Sequence, residues 1–163
     1  PARLSRFDPM GTLIDGDDPT KEMLLHSAFY DTRSTAGAVV HLHSCHSVAL
    51  SMMPDANQDD FLPHLTPYAI MKLGKVKLLP FFMPGDAAMG EAVRGLAGKR
   101  AAVMLANHGP VVAGKDIEAA CNAIEELEDT ARLAMMTRGM STRGLSDTDV
   151  QRLVTTFDVE WDT

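Results

Sequence analysis

The stretch Gly37-Ala38-Val39-Val40-His41-Leu42-His43-Ser44 decides how the rest of the chain is read. Its first half is apolar and holds two β-branched residues, Val39 and Val40, so a buried strand is expected over residues 36–43. Its second half is His-x-His. Residues two apart on a strand point to the same side, so His41 and His43 can bring both imidazoles to one point. Neutral imidazole is the commonest ligand for zinc and similar divalent ions, and a catalytic site of that kind needs about three protein ligands and one open position. His108 is the natural third. It ends a second apolar strand, expected over residues 101–107, and Gly109-Pro110 after it reads as a tight turn. Strand ends facing a crevice are where α/β proteins place their sites. On its own, His-x-His is a weak signal, because core imidazoles bonded to backbone carbonyls are common. Cys45 and His46, just downstream, read as packing and as helix packing or support for the site.

Upstream, Asp18 can cap a helix and Pro19 suits its first position. Met23, Leu24, Leu25, Ala28 and Phe29 form its apolar stripe, which runs to about Arg33. Glu22 falls in the first turn beside Thr20 and Lys21. Free amides, a hydroxyl and an ammonium there could hold a phosphate next to a carboxylate. The ordinary alternative is a capped helix with a favourable dipole contact. Short strands are expected at residues 3–8 or 12–14. Downstream, a short helix is expected over residues 46–53, stopped by Pro54. Residues 54–66 read as loop with a helical turn near 59–62. A strand is expected over 76–82, its second half at an edge because of Pro80. Helices are expected over 87–97, from Asp116 toward Gly139, and over 146–157 with Ser146 as cap. Alternating strands and helices indicate an α/β layered domain.

Composition narrows the function. The 163 residues carry 15 Lys plus Arg against 22 Asp plus Glu, a net charge of −7. That balance disfavours an electrostatic grip on nucleic acid or an anionic membrane. Hydrophobic residues make up 45% and charged residues 23%, which suits a packed core and not a disordered chain. No apolar run is long enough to span a bilayer. Two cysteines are too few for a disulfide scaffold, so a reducing, cytoplasmic setting is expected.

These segments together resemble the class II aldolase/adducin family. Residues 37–44 look like its zinc motif. Asn107-His108-Gly109-Pro110, followed by a strand, Gly114-Lys115-Asp116 and a Glu-rich helix, looks like its second motif, and Pro19-Thr20-Lys21-Glu22 matches a third position in the same order. Within the family the likeness is to 3-oxo-tetronate 4-phosphate decarboxylases, through His46-Ser47-Val48-Ala49, Leu65-Thr66-Pro67-Tyr68, Met71-Lys72-Leu73-Gly74-Lys75-Val76 and Pro84-Gly85-Asp86. The resemblance implies a three-layer αβα domain with a central, mostly antiparallel sheet. It implies that His41, His43 and His108 bind a divalent metal, most simply zinc. Glu22 would be the acid/base carboxylate, Thr20 and Lys21 would lie at the substrate phosphate, and Tyr68 would correspond to a proton-transfer tyrosine of the sugar-phosphate aldolases. A homotetramer with active sites between subunits is implied too. The implied reaction is decarboxylation of a phosphorylated sugar acid to dihydroxyacetone phosphate and CO2 through a metal-bound enediolate.

Two departures stand against the family pattern. The Gly-Asn-x-Ser segment and Thr-Pro loop that help bind phosphate are not found upstream of Glu22, and the chain opens on Pro1 instead of Met. Residues 1–163 are therefore expected to be one domain lacking its N-terminal segment. The only tyrosines are Tyr30 and Tyr68, which disfavours the aldolase or epimerase chemistry that uses a tail tyrosine. Competing expectations are an aldolase, epimerase or dehydratase of the same family, a non-catalytic adducin-like binding module, and a structural metal domain with four protein ligands.

Overall fold

The computed structural model describes residues 3–162. A small antiparallel hairpin, β1 (Arg6–Phe7) and β2 (Leu13–Asp15), precedes helix α1 (Met23–Thr32). The main sheet has four strands: β3 (Ala38–His41), β4 (Lys77–Leu79), β5 (Ala102–Leu105) and β6 (Gly109–Gly114). Their spatial order is β3-β6-β5-β4; β6 is antiparallel to both its neighbours, and β4 runs parallel to β5. The other helices are α2 (Cys45–Ser51), α3 (Pro67–Leu73), α4 (Ala87–Gly95), α5 (Ile117–Met136) and α6 (Asp147–Phe157).

The period of two in the strands sorts their side chains into two cores. Val39, Val103, Leu105, Val111 and Ala113 face Leu25 and Phe29 of α1 and Met89 and Val93 of α4. Ala102, Met104 and Val112 face Leu50 of α2, Leu73 of α3, and Ile124, Leu127 and Ala131 of α5. Both faces of the sheet are thus covered by helices, giving the expected three αβα layers around a mostly antiparallel sheet. Double coverage also explains why β5 reads as an unbroken apolar run instead of an alternating one.

Several boundaries differ from expectation, each for a local reason. Helix α1 starts at Met23, not after Asp18, and Glu22 is its N-cap. The Thr20 hydroxyl accepts the Glu22 N–H at 3.3 Å and the Thr20 carbonyl accepts the Met23 N–H, so residues 20–22 form a turn and not the helix's first turn. The tight turn between β5 and β6 falls at residues 106–108. Asn107 takes a left-handed conformation (φ 59°) and the His108 N–H donates to the Leu105 carbonyl, which frees Gly109 and Pro110 to begin β6. Strand β4 ends at Leu79, before Pro80, and it is an edge strand as that proline implies. Residues 59–62 form bends rather than a helical turn. Helix α3 lies where no element was expected. Seven residues are too few to show periodicity, but its cap chemistry is plain in retrospect: Thr66 accepts the Ala69 N–H and Pro67 opens the helix. Ser146 caps α6 in a reciprocal capping box with Asp149, as expected.

Candidate functional site

His41 closes β3, two residues beyond Val39 and so on the same face, the one covered by α1. Its side chain is only 5% exposed. Its Nδ1 lies 2.9 Å from the Pro110 carbonyl, to which a ring N–H must donate, and that leaves the Nε2 lone pair directed away from the sheet. The same carbonyl accepts the Leu42 N–H at 3.2 Å, so the β3–β6 pairing that holds the strand also holds the ring. Burial lowers the His41 pKa below its ordinary value, against the opposing influence of the Pro110 carbonyl and Glu22, so the neutral, ligand-competent ring is favoured.

His43 lies just past the strand end and is exposed, and His108 sits in the β5–β6 turn. The two segments meet closely: a Cβ at Gly109 would overlap the Leu42 carbonyl, so only glycine lets the His108 turn approach the His41–His43 segment. The three imidazole centroids form a near-equilateral triangle with sides of 5.0, 5.0 and 4.9 Å. The Nε2 atoms of His43 and His108 are 3.1 Å apart.

Glu22 reaches this triangle from the other element. As N-cap of α1 it makes no side-chain capping bond, and its carboxylate turns instead to the imidazoles. One oxygen is 3.3 Å from His41 Nε2 and the other 3.1 Å from His108 Nε2. One donor atom from each of Glu22, His41, His43 and His108 lies within 4.8 Å of the other three. The set suits a divalent ion. Three imidazoles are donors that zinc and similar ions take, with a carboxylate beside them, and the 3.1 Å between the Nε2 atoms of His43 and His108 is close to the edge, about 3.3 Å, of a tetrahedron with bonds of about 2.0–2.1 Å. His41 Nε2 is buried without a hydrogen-bond partner, which is the state of an atom built to bind something else.

The other candidates fall outside the cluster. Thr20 and Lys21 are exposed at the turn before Glu22. Tyr68 is 58% exposed on α3, a helix that packs chiefly on α5 and α6. His26, one turn after Glu22, lies edge-on to His41 with centroids 6.5 Å apart, and burial lowers its pKa as well. Cys45 is exposed, contrary to a packing role, as is Cys121. His46 directs its Nδ1 to Glu128 of α5 at 2.8 Å and away from the cluster. Nothing in the sequence singles out Glu128 among the acidic residues of its helix, because its partners are about eighty positions away in the chain.

A family model described as the class II aldolase and adducin N-terminal domain matches residues 1–135. The chain belongs to the class II aldolase and adducin family. Among the members it resembles is the 3-oxo-tetronate 4-phosphate decarboxylase of Pectobacterium atrosepticum, 41% identical over 151 residues, covering 93% of this chain and 69% of the relative. The L-fuculose phosphate aldolase of Methanococcus maripaludis is 34% identical over 126 residues, covering 77% of this chain and 66% of the relative. Among solved structures, YgbL of Escherichia coli superposes with a TM-score of 0.90 at 38% identity, covering 93% of this chain and 73% of that one. No helix among the described residues is long and apolar enough to cross a membrane.

Proposed function

We propose that this class II aldolase family member is a metal-dependent 3-oxo-tetronate 4-phosphate decarboxylase, releasing CO2 and dihydroxyacetone phosphate. The observation that carries the reading is the convergence of Glu22 with His41, His43 and His108, in a chain that shares 41% identity with a decarboxylase of that name over nearly its whole length.

His41, His43 and His108 would hold the metal, most simply zinc. When bound, that ion would act as a Lewis acid on the C3 ketone of the substrate. Loss of CO2 breaks the C1–C2 bond, leaves the electron pair conjugated with the ketone, and requires one proton at C2. Glu22, once it has taken a proton from solvent, is the group to deliver it, directly or through a water it holds. Its carboxylate stands at the imidazole cluster and is fixed there by its place at the start of α1. The Pro110 carbonyl holds His41 in one tautomer, and the buried position of His41 keeps water from its inner side. Thr20 and Lys21, directly before Glu22, would receive the substrate phosphate, the hydroxyl as a donor and the ammonium as a counter-charge. Tyr68 lies outside the cluster, and its proton-transfer role is proposed from the family resemblance alone. A cytoplasmic homotetramer of one-domain chains with active sites between subunits belongs to the same proposal.

The aldolase reading is the alternative, since a fuculose phosphate aldolase also resembles the chain, at 34% over a shorter stretch. A structural metal domain would use Glu22 as a permanent fourth ligand. Replacing His41 by Ala tests the proposal: metal content and CO2 release are expected to vanish together. Full turnover by a metal-free H41A protein would overturn it.

A further inference from the structure

We propose that Glu128 is a positioning residue for the imidazole cluster, acting through helix α2; the inference rests on the metal-binding reading above. Helix α2 begins two residues after His43, and its N-cap, Ser44, makes no side-chain capping bond. The first amides of a helix have no intrahelical partner and need one. Glu128, from the middle of α5, supplies it. One of its oxygens accepts the His46 N–H at 2.8 Å and the His46 Nδ1–H at 2.8 Å, and the other accepts the Ser47 N–H at 2.9 Å. A carboxylate is also the right charge for a helix N-terminus. Burial alone would raise the Glu128 carboxyl, but the bonds from His46 and Ser47 outweigh it and hold the group below its ordinary range. The side chain is therefore the ionised acceptor that this geometry requires.

The far end of α2 is tied to the other ligand-bearing segment. Ser51, the last residue of the helix, is buried; its hydroxyl donates to the Val48 carbonyl at 2.7 Å and accepts the Asn107 N–H at 3.0 Å. Asn107 is the left-handed residue directly before His108. Helix α2 thus links its N-cap Ser44, the residue after His43, to Asn107, the residue before His108. A seven-residue helix has no stability of its own, so its place is set by what grips it. Glu128 grips the end nearest His43, and a shift there passes through Ser44 to one imidazole and through Ser51 to the turn that carries another.

The test compares wild type with E128Q, E128D and E125Q, the last an exposed position on the same helix. Each protein is stripped and then titrated with zinc against a chromophoric chelator, and with Co2+ followed by its visible spectrum; the melting temperature of the metal-free form is measured alongside. A glutamine places an amide NH2 against an N–H donor, so E128Q is expected to bind zinc about tenfold more weakly, or worse, with an altered cobalt spectrum. E128D keeps the charge on a shorter arm and falls between E128Q and wild type, and E125Q matches wild type. If E128Q melts earlier but binds zinc and colours cobalt as wild type does, Glu128 is structural only and the inference is overturned. Should E128Q not fold, E128D decides, and wild-type affinity in that variant overturns it equally. Wild type taking up neither ion would overturn the metal reading itself, an outcome distinct from the failure of Glu128 alone.

Discussion

At the imidazole corner of the site, His41 is 5% exposed, its ring is bonded to the Pro110 carbonyl, and its neighbours follow the ends of β3 and β5 in a sheet covered on both faces. At the other corner, Thr20 and Lys21 are exposed. There the turn is held by the Thr20 hydroxyl and by the Gly85 turn resting on the Lys21 stem, where a Cβ would come within 3.1 Å of Lys21 Cβ. Lys21 makes no ion pair among the described residues. Glu22 belongs to both corners, its backbone to the exposed turn and its carboxylate to the imidazoles. The difference shows where rigidity is concentrated. The imidazoles that would hold fixed mutual distances stand at or just past the ends of paired strands, and the groups proposed to meet the substrate phosphate stand on an open turn.

Glu22→Gln probes the shared residue, and it carries the largest expected effect. The amide keeps the shape but cannot move a proton, so kcat is expected to fall by about 10²–10⁴-fold with metal content retained. Loss of the metal from E22Q, measured by elemental analysis, would instead make Glu22 a fourth ligand and join the two corners into one structural site. Lys21→Ala should leave metal content and melting temperature unchanged while raising KM by about 10–100-fold, the worth of one charge-assisted hydrogen bond. A change in metal content there would break the division between the corners. Asn107→Ala sharpens it from the rigid side: a left-handed alanine costs about 1 kcal/mol, seen as a lower melting temperature, and Asn107→Gly should not show that loss.

The chain's rigid parts were the legible ones. Val39-Val40 and Val103-Met104-Leu105 are apolar on both sides, so they announce strands buried between helices, and His41-x-His43 with His108 stands at their ends. Ser146 and Asp149 announce α6 through cap chemistry alone. Features that depend on distant partners could not be read from local pattern. The Thr20 side chain turns the backbone, so α1 starts at Met23 and not after Asp18, and it is this later start that makes Glu22 an N-cap facing the imidazoles. The interaction of Glu128 with His46 and Ser47 joins helices from opposite halves of the chain, and no spacing rule reports it. Helix α3 was too short for periodicity and visible only through Thr66-Pro67.

Product analysis shows whether this cluster drives decarboxylation. Zinc-loaded protein is supplied with 3-oxo-tetronate 4-phosphate and, separately, with L-fuculose 1-phosphate, following CO2, dihydroxyacetone phosphate and aldehyde. CO2 and dihydroxyacetone phosphate are expected in equal amounts from the first substrate, and little aldehyde from the second. Aldehyde release from the sugar phosphate without CO2 release from the oxo acid would contradict the decarboxylase reading.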